Sequence, residues 1–257
     1  TSHLKQGYNT VGVMLGNGWY NPLPIRLFGR FNLRDHQQTG RPVLKAQLHI
    51  NYADGTSDTI VTDETWETAK GPVIRNNVYL GEHYDARLEL DDWQTGAKND
   101  ISWKIAIPEK GPDGEMTPQM QPPVKIVERI RPVDIWEISP GVYIADMGIN
   151  FAGVAAIRVK GAEGTTIKLR YGENIHPDSS LNWLTTTPGH IKSMWGLKGG
   201  PGAPDDAIQE DVYIMRGKGT ETYMPRFTFH GFRYVEITGW PGKPGINDIE
   251  GIRMHAR

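Results

Sequence analysis

The stretch "VLKAQLHINYADGTSDTIVT", residues 43–62, constrains the fold more than any other part of the sequence. Between Leu48 and Tyr52, apolar and polar residues alternate with a period of two, which is typical of a strand with one buried face. Asp54-Gly55 then supplies the positive φ angles of a tight turn, and the apolar pattern resumes beyond it. This pattern predicts a β-hairpin.

Strand patterns also dominate the rest of the chain, and no segment shows a sustained helical period with caps at both ends. The 30 Gly and 18 Pro favour many short strands joined by turns. The Gly-rich stretches "VKGAEGTTIKLRY" and "IMRGKGTETY" have the pattern of two further hairpins. The predicted strands are Thr10–Leu15, Ile25–Leu33, Val124–Ile130, Val142–Ala145, Ala155–Lys160, Thr165–Tyr171, Ala207–Met215, Glu221–Phe229 and Phe232–Thr238.

The stretch "PEKGPDGEMTPQMQPP" separates two strand-rich halves, and its five prolines favour an extended linker. The predicted fold class is therefore all-β, with two consecutive antiparallel β-sandwich domains of jelly-roll type. The predicted boundaries are 1–107 for the first domain, 108–123 for the linker and 124–257 for the second domain.

Composition limits the partners. The net charge is −2, so a nucleic acid or an anionic membrane has no basic surface to bind. No apolar run approaches the ~18 residues of a membrane span. The absence of cysteine excludes disulfides, zinc fingers and thiol catalysis, and leaves the compartment open. Because the chain starts without Met and ends after a strand-like run, we expect a piece of a longer protein.

Aromatic residues are the first candidates for function, because the chain carries eight Trp, several in loops or at strand ends. Exposed rings stack on the apolar face of a sugar, while neighbouring amides and carboxylates bond its hydroxyl groups. Packing in a sandwich core is the alternative for each ring. The irregular stretch Glu173–Asp206, which carries Trp183 and Trp195, is longer than a hairpin turn and is a candidate functional loop.

The stretch "YLGEHYDARLELDDW", residues 79–93, concentrates acids, a His, an Arg and two Tyr. A structural interpretation pairs Asp85 with Arg87 and places the Glu82 carboxylate on backbone amides in the turn. Contact with a ligand or metal ion is the second interpretation. Catalysis is the third, and it needs two carboxylates facing each other across a cleft, whereas residues three apart on a strand face opposite sides.

Four motifs together resemble the accessory β-domains of bacterial α-L-rhamnosidases of the family 78 glycoside hydrolase type. They are "GVMLGNGWY", "TDETWETAKGPVIRNNVYLGEHYDAR", "YIADMGINFAG" and "YMPRFTFHGFRYVEITG". The family patterns fall on Leu15–Tyr20, Trp66–Arg87, Asp146–Gly153 and Pro225–Glu236, in the family's order and spacing. In the last two motifs, His230 and Arg233 can satisfy carbonyls or carboxylates, and Asp146 and Asn150 suit bonding within a turn.

The resemblance implies a partial N-terminal sandwich similar to rhamnose-binding modules, followed by a concanavalin-like rhamnosidase domain. Members carry their acid and base in a helical (α/α)₆ barrel, and no catalytic residue is assigned here. Some related modules hold calcium beside the sugar, with Asn17, Asn77 and Asp85 as the candidate ligands; no other cofactor is implied. The candidate carbohydrate-binding residues are Trp19, Asn76, Asn77, Tyr79, Glu82, Tyr84, Trp183 and Trp195.

The function implied is that of an accessory portion that braces the catalytic barrel of a rhamnose-releasing, inverting hydrolase and binds rhamnosyl glycans. The expected partners are the catalytic domain of the same protein and rhamnose-containing glycans, with no nucleic acid and no membrane. A periplasmic or secreted location is favoured over a cytoplasmic one. Two alternatives stay open: a free-standing carbohydrate-binding module, and the accessory domains of a polysaccharide lyase.

Overall fold

The computed structural model describes residues 4–22, 26–27, 31–91, 93–95, 103–111, 114–189 and 205–257. The fold class is all-β, as predicted. The strands are β1 Arg26–Leu27, β2 Phe31–Asn32, β3 Gln47–Asn51, β4 Ser57–Val61, β5 Glu67–Thr68, β6 Val73–Asn77, β7 Gly81–Asp85, β8 Lys104–Ile105, β9 Val124–Ile130, β10 Asp134–Ser139, β11 Val142–Lys160, β12 Thr166–Gly172, β13 Asn174–Ile175, β14 Leu181–Asn182, β15 Glu210–Ile214, β16 Thr220–Tyr223, β17 His230–Thr238 and β18 Ile249–Ala256. One short α-helix, α1, spans Leu33–His36, and 3₁₀ turns cover Ala86–Leu88, Trp93–Thr95, Trp183–Thr186 and Ile246–Asp248.

The hairpin predicted over residues 43–62 is confirmed as β3 and β4, which pair antiparallel with Leu48 opposite Ile60. Its turn contains Gly55 at a φ of +86°, a conformation that glycine adopts without steric cost. Three further two-stranded antiparallel sheets are β1–β2, β5–β8 and β13–β14.

A ten-stranded sheet forms the main body, in the order β6-β7-β15-β12-β17-β11-β18-β9, with β10 and β16 pairing additionally with β11. The strand β11 is 19 residues long and pairs with four other strands of this sheet. Its first part pairs with β10 and β17, and its last part pairs with β18 and β16. A register shift between Asp146 and Phe151 bends the strand between them. The sheet therefore curls over a core that includes Tyr171, Phe232 and Ile237.

Several local predictions were wrong. The stretch Thr10–Leu15 forms no strand, and β10 was not predicted. The two predicted strands at 142–145 and 155–160 are one continuous strand. Neither Gly-rich hairpin exists, because β17 lies between β11 and β12, and β16 pairs with β11 rather than β15. Those Gly-rich turns connect strands that are not neighbours, and turn composition does not reveal which strands pair.

The hairpin of β6 and β7 lies N-terminal to the proline-rich residues 108–123 but belongs to the main sheet. β6 and β7 pair antiparallel, and β7 pairs in parallel with β15, with Tyr84 opposite Tyr213. The remaining strands of this sheet all come from residues after 123. The division into domains at 108–123 stays a prediction, and the main sheet draws strands from both sides of it.

Candidate functional site

Three of the four sequence motifs converge around the hairpin of β6 and β7. The side-chain amide of Asn17 donates to the carbonyl oxygen of Asn76 on β6 at 2.8 Å. Gly16 lies so close to the Phe227 ring that a Cβ atom there would overlap it. The segment Leu15–Tyr20 therefore packs against both the hairpin and the Pro225–Glu236 motif, although about 60 and 210 residues separate them in the sequence.

The outer part of this junction is an aromatic and amide cluster, which we call the Trp19 cluster: Asn17, Trp19, Asn76 and Tyr79. Trp19 is 53% exposed and meets Tyr79 edge to face, with ring centroids 5.4 Å apart. Asn76 is 7% exposed, and its Nδ2 atom has no hydrogen-bond partner among the described residues. A buried amide left without an acceptor is costly, so this N–H pair is a candidate to bond a ligand oxygen or a water molecule.

Chemically, the Trp19 cluster suits a small polyhydroxylated ligand. An exposed indole offers a flat apolar face, and an adjacent phenol and amides offer hydrogen bonds at its edge. Burial raises the pKa of the Tyr79 hydroxyl above its ordinary value, so Tyr79 stays neutral at physiological pH and can donate a proton to a hydrogen bond.

Glu82 lies on β7 opposite Asn76, and its side chain is fully buried. Its Oε2 atom accepts the backbone amides of Arg226 at 3.2 Å and Phe227 at 3.0 Å, and its Oε1 atom accepts the Tyr223 hydroxyl at 3.3 Å. Glu82 does bind backbone amides, but they belong to the Pro225–Glu236 motif and not to the turn in which the prediction placed them. Desolvation raises the pKa of Glu82 above its ordinary value, although these donors partly oppose the shift.

A second carboxylate, Asp211 on β15, is also fully buried and lies beside Glu82. Its Oδ1 atom accepts the backbone amide of Glu82 at 2.7 Å. Its Oδ2 atom accepts the Tyr171 hydroxyl at 2.5 Å and contacts Nε2 of His230 at 3.0 Å. The other ring nitrogen of His230 lies 2.9 Å from Oε1 of Gln209. Sequence reasoning missed Asp211 and Tyr171, because each lies in an ordinary strand pattern that also contains other polar residues.

These contacts define the chemistry of the two acids. A glycosidase needs two carboxylates that reach a sugar across a water-accessible cleft. Glu82 and Asp211 are both 0% exposed and bond to donors of the protein itself. Burial also raises the pKa of Tyr171 and Tyr223 well above their ordinary range, so both hydroxyls stay protonated as donors. The arrangement stabilises the fold and leaves no approach for a substrate.

The other candidates in residues 79–93 have structural partners. Asp85 forms a two-point ion pair with Arg87, at 2.8 Å to Nε and 2.7 Å to Nη2, and also accepts the Arg87 amide. The predicted Asp85–Arg87 pair is confirmed, and it lowers the pKa of Asp85. The buried Tyr84 donates its hydroxyl to Glu89 at 2.7 Å. Asn77 is buried, and its side-chain oxygen accepts the Tyr79 amide at 2.8 Å.

The calcium candidates are engaged in separate local bonds. The Asn17 side chain donates to the carbonyl oxygen of Asn76 and accepts from the Asn21 side chain. The Asn77 side chain accepts the Tyr79 amide, and both carboxylate oxygens of Asp85 accept from Arg87. The described residues contain no group of three or more His, Cys, Asp or Glu arranged to hold a metal ion. Amide and carbonyl oxygens are also calcium ligands, so calcium binding near Asn17 stays a prediction.

The Glu173–Asp206 stretch is described as far as residue 189 and again from residue 205; Trp195 lies outside the described residues. Trp183 starts the 3₁₀ turn Trp183–Thr186 and packs against Ile144, Leu181 and Tyr234 on the outer face of the main sheet. Trp183 is therefore a half-buried packing residue in this structure.

The remaining motif, Asp146–Gly153, forms a polar corner of the main sheet together with the Pro225–Glu236 motif. Arg233 makes a two-point ion pair with Asp146, with both distances 2.8 Å, and this contact lowers the pKa of Asp146. Asp146 also accepts the amide of Gly148 at 2.7 Å, and Gly148 has a φ of +76°. The predicted turn-bonding role of Asp146 and the carboxylate-binding roles of His230 and Arg233 are confirmed. The prediction for Asn150 differs from the structure, because its side-chain amide donates to Glu173, 23 residues away, at 3.1 Å.

Comparison with known families identifies both halves of the chain. A family model described as the alpha-L-rhamnosidase N-terminal domain matches residues 1–128, and one described as the bacterial alpha-L-rhamnosidase concanavalin-like domain matches residues 136–255. The chain belongs to the α-L-rhamnosidase family, of which it comprises these two β-domains.

Individual relatives agree. An alpha-L-rhamnosidase of Streptomyces avermitilis is 36% identical over 99% of this chain, and one of Formosa agariphila is 33% identical over 98%. The solved rhamnosidase from Dictyoglumus thermophilum has a TM-score of 0.76 at 35% identity over 94% of the chain. The Streptomyces avermitilis enzyme, solved with L-rhamnose, also scores 0.76, at 36% identity over 93%. The chain spans 22% and 25% of the length of the first two relatives, and 24% and 21% of the two solved chains.

Proposed function

We propose that this chain is the accessory β-portion of an α-L-rhamnosidase and braces a catalytic domain carried by the same polypeptide. The observation that supports this most is the succession of two family matches over residues 1–128 and 136–255, in relatives about four times as long. The polypeptide as a whole would release terminal α-L-rhamnose by an inverting mechanism, with both catalytic carboxylates supplied from outside these 257 residues.

The contacts of Glu82 and Asp211 support a structural role for this chain and a catalytic role for the rest of the polypeptide. In the described part of the chain, Glu82 and Asp211 are two neighbouring carboxylates, and both are fully buried. A rigid sandwich with internally satisfied polar groups is suited to hold a neighbouring domain in place.

The test uses the full-length polypeptide of the gene that encodes this chain. It should release the chromophore from an aryl α-L-rhamnoside and invert the anomeric configuration of the released L-rhamnose. An aryl β-D-glucoside serves as the control substrate. Failure to cleave the rhamnoside, together with production of unsaturated uronates from an acidic polysaccharide, would favour the lyase alternative and overturn the proposal.

A second proposed role is sugar binding at the Trp19 cluster. The exposed Trp19 ring, its contact with Tyr79 and the unpaired amide of Asn76 support it. The expected ligand class is a terminal deoxyhexose such as L-rhamnose, whose methyl-bearing face stacks on an indole. Calorimetric titration of the chain with L-rhamnose, with and without calcium, tests both the sugar and the ion. An absence of heat under both conditions would contradict this role.

Two further points remain proposals. The Glu173–Asp206 stretch, with Trp183 and Trp195, would line the substrate cleft of the catalytic domain. Replacing both Trp by Ala in the full-length enzyme should then change the Michaelis constant, and unchanged kinetics would contradict it. A periplasmic or secreted location is proposed as well. No helix in the described part of the chain is both long and apolar enough to cross a membrane; cell fractionation tests the location.

A further inference from the structure

The hairpin of β6 and β7 occupies a place in the main sheet that the second family match, 136–255, does not itself fill. Residues 73–85 fall within the match to the N-terminal domain, yet β7 pairs in parallel with β15 over His83, Tyr84 and Asp85. Because β7 and β15 lie about 130 residues apart in the sequence, this parallel pairing forms only when the two parts of the chain fold against each other.

We call the contact between the β6–β7 hairpin and the second part of the chain the seam. Each side of the seam supplies a carboxylate that binds backbone amides of the other side. The carboxylate of Glu82, from the first part of the chain, binds the backbone amides of Arg226 and Phe227 in the second part. The carboxylate of Asp211, from the second part, binds the backbone amide of Glu82. Both acids are fully buried, so separating the two parts would leave charged or strongly polar groups without partners on both sides.

Apolar packing at the seam is equally shared. Tyr84 lies within the main core, with its ring centroid 5.9 Å from that of Tyr213 and 5.5 Å from that of Tyr223. Leu80 and Ala86, at either end of β7, are buried as well. Aromatic clusters of this size contribute a large share of core stability.

The backbones also approach closely at Gly81. Its φ is +82°, and a Cβ atom at this position would overlap the carbonyl oxygen of Glu210. Only glycine fits both the conformation and the space. The two sides of the seam therefore contact each other through backbone pairing, aromatic packing and buried carboxylates.

We propose that residues 73–88 are a structural segment that the concanavalin-like domain requires from the N-terminal domain, so that the two family domains fold and unfold as one cooperative unit. The Glu82 carboxylate holds this segment in place through hydrogen bonds from the backbone amides of Arg226 and Phe227. Because Asn76 and Tyr79 lie on the same hairpin, the Trp19 cluster is attached to the second domain through the pairing of β7 with β15. This inference concerns assembly and stands independently of sugar binding or rhamnoside cleavage.

The test uses the whole chain, cut once. A protease recognition sequence is inserted between Met116 and Thr117, both exposed and outside any strand, and the folded protein is cleaved there. The two pieces should co-elute from a sizing column in native buffer and separate only in denaturant. Separation in native buffer with retained β-sheet signal in each piece would overturn the proposal.

Variants identify the seam as the cause. Glu82→Gln keeps the size of the side chain but replaces one of its two acceptor oxygens with an NH₂ group, which cannot accept a hydrogen bond. It should weaken the association of the cut pieces roughly 10- to 100-fold. Glu128→Gln is the matched control, because Glu128 forms its exposed ion pair with Arg253 inside the second piece. Equal dissociation constants for the two variants would contradict the role of Glu82. If Glu82→Gln abolishes folding of the uncut chain while Glu128→Gln does not, the proposal is supported.

Discussion

The backbone amide of Glu82 donates a 2.7 Å hydrogen bond to Oδ1 of Asp211, a residue 129 positions later in the chain. This bond joins two family domains through a pair of fully buried acids. In a hydrolase family, two neighbouring buried acids suggest catalysis at first sight. Their donors and their burial show that they serve the architecture instead.

Glu82→Ala should destabilise the chain by about 3–5 kcal/mol, because it leaves the buried amides of Arg226 and Phe227 without an acceptor. Urea denaturation followed by far-ultraviolet circular dichroism measures the free energy of unfolding. Glu128→Ala removes an exposed ion pair and should change this free energy by less than about 1 kcal/mol. Similar losses for the two variants would contradict the assigned role.

Gly81→Ala and Gly55→Ala form a matched pair. Both glycines have similar positive φ values, +82° and +86°, so both variants incur a left-handed backbone cost of about 1–2 kcal/mol. Only at Gly81 would the new methyl group overlap another backbone, since nothing lies within 4 Å at Gly55. We expect Gly81→Ala to cost at least about 2 kcal/mol more in thermal or urea denaturation. Equal costs would show that the β7–β15 seam is looser than described.

Stability should fall at acid pH through Asp146. Its two-point bond with Arg233 lowers its pKa, so this contribution is present above the ordinary range of an aspartate and is lost as pH falls through the lowered value. Asp146→Asn keeps an acceptor for the Gly148 amide and removes the charge. It should cost about 1–2 kcal/mol at pH 7 and much less near pH 3. A cost that does not depend on pH would contradict the ion-pair explanation.

The contribution of Glu82 to stability should change with pH in the opposite direction to that of Asp146. Because desolvation raises its pKa in the folded state, its contribution is largest below the ordinary range of a glutamate and declines as pH rises through the raised value. The difference in unfolding free energy between the wild type and Glu82→Gln should therefore narrow as pH increases from 4 towards neutrality. A difference that grows over this range would mean that the amides of Arg226 and Phe227 dominate.

Trp19→Ala should abolish measurable binding of L-rhamnose if the Trp19 cluster is a sugar subsite, because loss of one stacking ring removes most of the contact area of a monosaccharide. Isothermal titration calorimetry measures this. Tyr8→Ala is the control, since Tyr8 is a fully exposed aromatic residue in the same N-terminal segment. Binding that survives Trp19→Ala, or is lost in Tyr8→Ala, would place the sugar elsewhere.

Local features were predictable from sequence where the physics is local. The β3–β4 hairpin follows from alternation and an Asp-Gly turn, and the Asp85–Arg87 pair joins residues two apart. The Asp146 turn likewise depends on its neighbour Gly148. Each involves a few consecutive residues, whose side-chain directions are set by strand and turn geometry.

Features that depend on distant pairing were not predictable. The parallel placement of β7 beside β15 and the pairing of the long strand β11 with four other strands depend on which distant strands meet. Asp211 shows no local sign of its role, because its partners Tyr171, Glu82 and His230 come from three other strands. The proximity of Trp19 and Tyr79 was likewise visible only in the fold.

The most direct test of the central claim, that these β-domains are scaffold and that hydrolysis requires sequence outside them, is an assay of the purified 257-residue chain with an aryl α-L-rhamnoside. We predict no release of L-rhamnose above the uncatalysed rate, under conditions in which the full-length polypeptide turns over readily. Release by the isolated chain that disappears in Glu82→Gln or Asp211→Asn, with the fold intact, would contradict the account.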